Sequence, residues 1–348
     1  MSQKWVWLFR EGNGTMRDLL GGKGAGLAEM TNAGLPVPPG FTITTETCNE
    51  YYRNGKQFPA ETIDQVHAAL RDVEQATGKR FGDPANPLLV SVRSGSKFSM
   101  PGMMDTILNL GLNDVTVEGL ATATGNPRFA YDSYRRFIQM YGGVVLEVDK
   151  HHFEHALAAQ RRKAGVDSDP QLSAADLQEV IATYKGIIHH ETGHDFPADP
   201  VAQLQGAIEA VFRSWNNDRA IVYRRRERIS DDLGTGVNAA PVTYEVDGKQ
   251  YAVLRYGDLC DFLAKKDYLQ SWHSEMHERF CFWSYSDWVN ALEEVGFVLA
   301  EGSGPKRNDW LIENRFAPAA KVFEKQKEGF VAKEPPITNV LLVAYKPV

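Results

Sequence analysis

Two short stretches hold residues that could do chemistry on a phosphate group. In "LLGGKGAGLAEM", Leu19 to Met30, a single lysine, Lys23, stands among four glycines. A glycine-rich turn that opens a helix points several backbone N–H groups in one direction, and the helix dipole adds positive potential there. Lys23 adds a point charge that reaches a phosphate without demanding a fixed geometry. The pattern is not G-x-x-x-x-G-K-[ST], because Gly24 stands where the hydroxyl belongs and the upstream glycine spacing differs. Taken alone, it fits a glycine turn with a surface lysine equally well. In "SVRSGSKFSMPGMMDTILNLGLND", Ser91 to Asp114, Arg93 follows a largely apolar run that begins at Leu88. A guanidinium at the end of a buried strand needs an anion, either an internal carboxylate or a ligand phosphate whose oxygens match its planar fork. Gly95 and Gly102 permit close approach of backbone, and Met100, Met103 and Met104 offer soft apolar surface.

Other candidate clusters are weaker. His273 and His277 stand four apart, so a helix would put both on one face, but Glu275 and Glu278 sit at the wrong offsets for H-E-x-x-H. His189 and His190 are adjacent and cannot share a helix face. The run "RRRER", Arg224 to Arg228, reads as a solvated helix face. No catalytic side chain and no metal ligand is assigned from these patterns.

The elements that must position Lys23 and Arg93 follow from periodicity. Trp5 to Phe9 alternates as a strand, and "EGNG" turns the chain, which predicts a first hairpin or a sheet edge. A helix carrying Leu27 and Met30 follows the glycine turn, then a β-branched strand over Phe41 to Thr45. Leu88 to Val92 is a continuous apolar run, the pattern of a strand covered on both faces. Helices dominate from Asn126 to Trp215. Ser173 and Asp176 stand in capping-box spacing, Asp199 and Pro200 supply a cap and a first turn, and Val201, Leu204, Ile208, Val211 and Trp215 form a helical stripe. After Val237 aromatic residues crowd, with a helix expected from Ser286 to Gly296 and strands over Phe297 to Ala300 and Val340 to Ala344. A boundary is expected near residues 237 to 245. The class is mixed, α/β or α+β.

Composition excludes several roles. The chain of 348 residues is 43% hydrophobic and 24% charged, within the globular range. A net charge of −7 gives no positive field for nucleic acid or an anionic membrane. Three cysteines, Cys48, Cys260 and Cys281, form no paired spacing for a disulfide framework or a zinc ribbon. The N-terminal apolar run is too short for a secretory signal and nothing later reaches the length of a membrane span, so a cytoplasmic protein is expected.

Five phrases carry a family resemblance: "LLGGKGAGLAEM", "GLPVPPGFTITTETCNEYY", "PLLVSVRSGSKFSMPGMMDTILNLGLND", "GNPRFAYDSYRRFIQMYG" and "VFRSWNNDRAIVYRR". Together they resemble the N-terminal nucleotide-binding region of the pyruvate, phosphate dikinase family, over residues 1 to about 237. "MPGMMDTILNLGLND" points to this branch rather than to the related phosphoenolpyruvate synthases. The resemblance implies the first lobe of an ATP-grasp fold at 1–112 and 198–237, with a helical subdomain at 113–197. It implies ATP and Mg2+ as cofactors, Lys23 and Arg93 on the ATP phosphates, and the loop of Gly102 and Met103 over the nucleotide. In the family, ATP, phosphate and pyruvate give AMP, diphosphate and phosphoenolpyruvate, one phosphoryl group of ATP passing to a histidine on a separate swivelling domain and then to pyruvate.

The sequence also departs from that family. The phrases of the second ATP-grasp lobe, which carry adenine contacts and Mg2+ ligands, are absent, as are the phosphohistidine phrase and the pyruvate-binding barrel. A full cycle would therefore need a separate phosphohistidine or pyruvate-binding partner. Residues 238–348 resemble, more weakly, the C-terminal part of class I S-adenosylmethionine-dependent methyltransferases, through "FWSYSDWVNALEEVGFVLAEG" and "ITNVLLVAYKPV". That tail lacks a glycine-rich cofactor loop. It could cap the nucleotide cleft, which would make the chain a non-catalytic remnant or interaction protein.

Overall fold

Capping chemistry and apolar periodicity set the elements of the first part of the chain in order. Strand β1 (Val6–Leu8) is followed by helix α1 (Arg17–Asn32), strand β2 (Phe41–Ile43) and helix α2 (Thr45–Arg53). The Thr44 side chain caps α2 by accepting from the Thr47 N–H. Helix α3 (Thr62–Thr77) ends on Gly78 in the left-handed region. Short strands β3 (Arg80–Phe81) and β4 (Pro87–Leu88) pair in parallel and lead into β5 (Val90–Gly95) and β6 (Thr106–Leu110).

Four helices follow: α4 (Thr116–Thr124), α5 (Pro127–Val144), α6 (Lys150–Ala164) and α7 (Ala174–Thr192). Asn126 caps α5 with Pro127 in its first turn, and Ser173 with Asp176 forms the capping box of α7 that the spacing predicts. Helix α8 (Pro200–Ser214) starts on the Asp199 cap, and α9 (Asp218–Glu227) on Asn217. Strand β7 (Gly236–Pro241) and the hairpin of β8 (Tyr244–Val246) and β9 (Lys249–Tyr251) close this part.

The computed structural model describes residues 3–34, 37–100 and 102–242 in full, and beyond them only short strands between residues 244 and 345. Two units are distinguished, Met1–Ala252 and Val253–Val348. In the second, three antiparallel pairs are described: β10 (Val298–Leu299) with β15 (Ala344–Tyr345), β11 (Gly304–Lys306) with β14 (Asn339–Leu341), and β12 (Val322–Gln326) with β13 (Gly329–Lys333). The expected helix from Ser286, with His273 and His277, lies outside the described residues. Among the described residues, no helix is long and apolar enough to cross a membrane.

The centre of the first unit is a five-stranded antiparallel sheet in the order β1-β2-β7-β5-β6. Strand β1 is an edge, as one of the two sequence readings has it, and its neighbour β2 comes only after α1 has intervened. Strand β7 sits between β2 and β5, with Phe41 opposite Ala239 and Val90 opposite Pro241. It runs straight through the boundary expected at 237/238, so the first unit continues to Ala252. A central strand cannot be detached without stripping hydrogen bonds from both neighbours.

One face of the sheet shares a continuous core with α2, α3, α8 and the helical segment, in which Phe137, Tyr141 and Phe196 meet edge to face. The other face carries α1, whose Leu20, Ala25 and Ala28 form a separate small cluster with Trp7. The arginine run does not read as the sequence suggests. Arg224 is 1% exposed, stacked 4.1 Å from the Trp215 ring centroid, and donates to Asp231 and to the Trp215 carbonyl. A helix of ten residues turns one of its arginines inward whatever the charge of its neighbours.

Candidate functional site

Helix α1 is not one uninterrupted helix. Gly21 has φ +69° and ψ 171°, so the helix breaks there and restarts at Gly22. Only glycine fits: its φ lies in the left-handed region, and a side chain would overlap the carbonyl oxygen of Gly95 at the end of β5. The Gly22 N–H donates to the Ser96 carbonyl at 2.9 Å, which ties the restarted helix to the segment after β5. The start of a helix carries partial positive charge, and Lys23, the second residue of the restart, is exposed.

Arg93 lies in β5 where the burial pattern breaks: it is exposed between buried Val92 and Ser94. It is not the last residue of the strand, since Ser94 and Gly95 continue the pairing with Val237 and Gly236. Arg93 and Gly95 are two apart in a strand and share one face. A Cβ built on Gly95 would stand 3.5 Å from the Lys23 Cβ. The structure therefore brings Lys23 and Arg93, seventy residues apart in number, to one side of the sheet around Gly95.

Cross-strand register extends this into a polar row. Thr42 of β2 lies opposite Asn238 of β7, Asn238 opposite Arg93, and Arg93 opposite Thr106 of β6. Residues directly opposite in an antiparallel pair share a face. The Thr42 hydroxyl donates to Asn238 Oδ1 at 2.8 Å, and Gly24 of α1 lies over both, where a Cβ would stand 2.9 Å from that Oδ1. Asn238 is 4% exposed, yet its Nδ2 has no hydrogen-bond partner among the described residues. Burying such a donor unsatisfied costs about 1–3 kcal/mol. Sequence reading misses Asn238 and Thr42. The signal was a polar residue inside the short apolar strands "GVNAAP" and "FTI".

The loop after β5 is held from α8 and α9. Gly102 is exposed with φ +71°, and a side chain there would meet only open space. The neighbouring Met103 is partly buried against the main core, and its carbonyl accepts from Asn217 Nδ2 at 3.1 Å and Arg219 Nε at 3.2 Å. The Arg219 guanidinium also pairs with Asp105. Asn217 serves twice, since its Oδ1 caps α9 by accepting from Ala220 N–H at 2.8 Å. These anchors also escape sequence reading, because a cap and a loop latch look alike in one dimension.

Two cavities, of about 220 Å³ beside Phe98 and Tyr223 and about 320 Å³ between Asp114, Tyr131 and Lys185, are lined by neither Lys23 nor Arg93. Among the described residues, no group of three or more His, Cys, Asp or Glu stands together as a metal site. Cys48, fully buried under the sheet, has its thiol pushed up to about 12 by burial, so it offers no nucleophile. The described residues around Gly95 thus supply two cations and a helix start, which suit phosphate oxygens.

The comparisons agree with this chemistry. The family described as "Pyruvate phosphate dikinase, AMP/ATP-binding domain" matches residues 17–64 and 55–244. A pyruvate, phosphate dikinase of Clostridium symbiosum is 57% identical over 247 residues, which is 71% of this chain and 28% of that protein. One of Rhizobium meliloti (strain 1021) is 51% identical over 245 residues, 69% of this chain and 27% of that protein. The chloroplastic pyruvate, phosphate dikinase 1 of Oryza sativa subsp. japonica is 51% identical over 234 residues, 67% and 25% of the two chains. The chain spans about a quarter of the length of these curated relatives.

Proposed function

The chain belongs to the pyruvate, phosphate dikinase family through its AMP/ATP-binding domain, and from that premise we propose that Lys23 and Arg93 hold the phosphates of ATP beside Gly95, on the side of the sheet that carries α1. The observation that carries this reading is their convergence around Gly95. Two cations beside a helix start neutralise the charge that phosphoryl transfer spreads over the phosphate oxygens, and positioning with such neutralisation is the main protein contribution to that chemistry. The loop of Gly102 and Met103, latched by Asn217 and Arg219, lies over the nucleotide in this reading. Mg2+ bound with the nucleotide would offset phosphate charge, and among the described residues no group of three or more His, Cys, Asp or Glu stands together to hold it.

The reaction in the relatives' name, which couples ATP, phosphate and pyruvate, would need more than this domain. We propose that this chain contributes nucleotide binding, and that a phosphohistidine-bearing and pyruvate-binding partner completes the transfer. In this reading residues 1–112 and the chain that returns from 198 through β7 would form the nucleotide lobe, and 113–197 the helical subdomain.

Thermal melting with and without Mg·ATP tests the reading. A ligand bound only by the folded state adds about 2.7 kcal/mol at a hundredfold excess over Kd, or roughly 5–10 °C for a domain of this size. Lys23→Ala and Arg93→Ala are each expected to remove most of that shift, measured against each variant's own melting point without ligand. An unchanged melting point for the wild-type chain at saturating ATP would sink the reading and leave a non-catalytic interaction protein.

A further inference from the structure

We propose that the cleft between α4, α5 and α7 binds a small organic cation, whose guanidinium or ammonium head sits on Glu118 and Tyr131. The proposal does not depend on the nucleotide-binding reading above. The cleft is the cavity of about 320 Å³, within the size range of small-molecule sites. Its floor is aromatic: Tyr131 and Tyr134, three apart on α5, are 7% and 1% exposed. Two exposed carboxylates line it as well, Asp114 just before α4 and Glu118 within that helix. Each accepts from one tyrosine. The Tyr134 hydroxyl donates to Asp114 at 3.2 Å, and the Tyr131 hydroxyl donates to Glu118. The same arrangement, an exposed carboxylate over a buried tyrosine, therefore occurs twice in one cleft.

A protein cation completes one of the two copies. The Lys185 ammonium of α7 pairs with Asp114 and stands 5.3 Å from the Tyr134 ring centroid. Glu118 and the Tyr131 ring have no such cation among the described residues. One turn before Lys185 on α7 the cleft is lined by Ala182, which is exposed and too short to cross it. The space that a second basic side chain would take is thus left to the cavity. Two carboxylates against one ammonium also leave the cleft with an excess negative charge, which disfavours an anion and suits a cation. A carboxylate gives such a head a charge-assisted hydrogen bond, and a tyrosine ring attracts it through its quadrupole. Val117 and Ile181 supply apolar surface for a short hydrocarbon stem.

Isothermal titration of the full chain tests this with two probes of nearly the same shape, butylguanidinium and the neutral butylurea. Butylguanidinium is expected to bind about tenfold more tightly or better. Glu118→Gln keeps an acceptor for the Tyr131 hydroxyl but removes the charge, and is expected to raise the Kd of butylguanidinium about tenfold or more. Ala182→Arg supplies the second cation from the protein itself, on an exposed helix face that tolerates a long side chain, and is expected to abolish binding of the probe. No binding of butylguanidinium by the wild type, equal affinity for the two probes, or an unchanged Kd in either variant overturns the proposal.

Discussion

At the scale of single residues, glycines decide the site as much as the cations do. Gly21 breaks α1 at positive φ and lies against the Gly95 carbonyl, so no other residue lets the restarted helix approach β5. Gly21→Ala combines backbone strain with overlap, and is expected to cost at least about 2 kcal/mol, read from the denaturant midpoint. The same variant should weaken nucleotide-induced stabilisation, because Lys23 would be displaced from Gly95. Cys48 gives a contrasting expectation. Its thiol, raised by burial to about 12, stays un-ionised at neutral pH, so iodoacetamide at pH 8 should leave it unmodified in the native protein. Peptide mapping after brief treatment checks this, with labelling at Cys48 only after denaturation.

At the scale of elements, α5 holds a buried ionic group that the sequence shows only as "YDSYRR". Asp132 accepts from Arg135 and from Arg136, and the Arg135 side chain is 4% exposed. Burial pushes the Asp132 carboxyl up, but the two guanidinium groups together outweigh it and hold the group below its ordinary range. A depressed carboxylate stabilises the fold at pH above its unfolded value, about 3.9, and that contribution disappears as pH falls through the lower folded value. Asp132→Asn leaves Arg135 buried beside a neutral amide. We expect a loss of about 3–5 kcal/mol at pH 7 and a flatter stability profile below pH 4, measured by urea unfolding across pH. Arg224 teaches the same lesson from the other side. A run of basic residues reads as a solvated face, but a helix turns by 100° per residue and one member meets Trp215 and Asp231.

At the scale of the molecule, the first unit has its own core and its own five-stranded sheet, with β7 as a central strand. A truncated chain of residues 1–252 is expected to fold and to keep the ATP-induced rise in melting temperature. Truncation at 237 cuts β7 after its second residue and is expected to give an unfolded or aggregating product. Circular dichroism and melting curves of the two truncations separate these outcomes.

Much of this was legible in one dimension because it depends on neighbours along the chain. The caps at Ser173 and Asp199, the stripe of α8, the glycine turn before a helix and the polar break at Arg93 all arise within a few residues. Those same local patterns were enough to bring Lys23 and Arg93 forward as phosphate-binding candidates and to carry the family resemblance. What only the tertiary structure decided is register. The bond from Thr42 to Asn238 spans 196 positions, and among the described elements eight α-helices and four strands lie between β2 and β7 in the chain. Strand pairing is set by which apolar faces must be buried together and by hydrogen-bond alignment across the sheet; alternation within a strand shows which face is apolar, but not which strand it will meet. For that reason the sequence could show that an asparagine stood in a short strand, while its place beside Arg93 and Gly95 exists only once the sheet has closed.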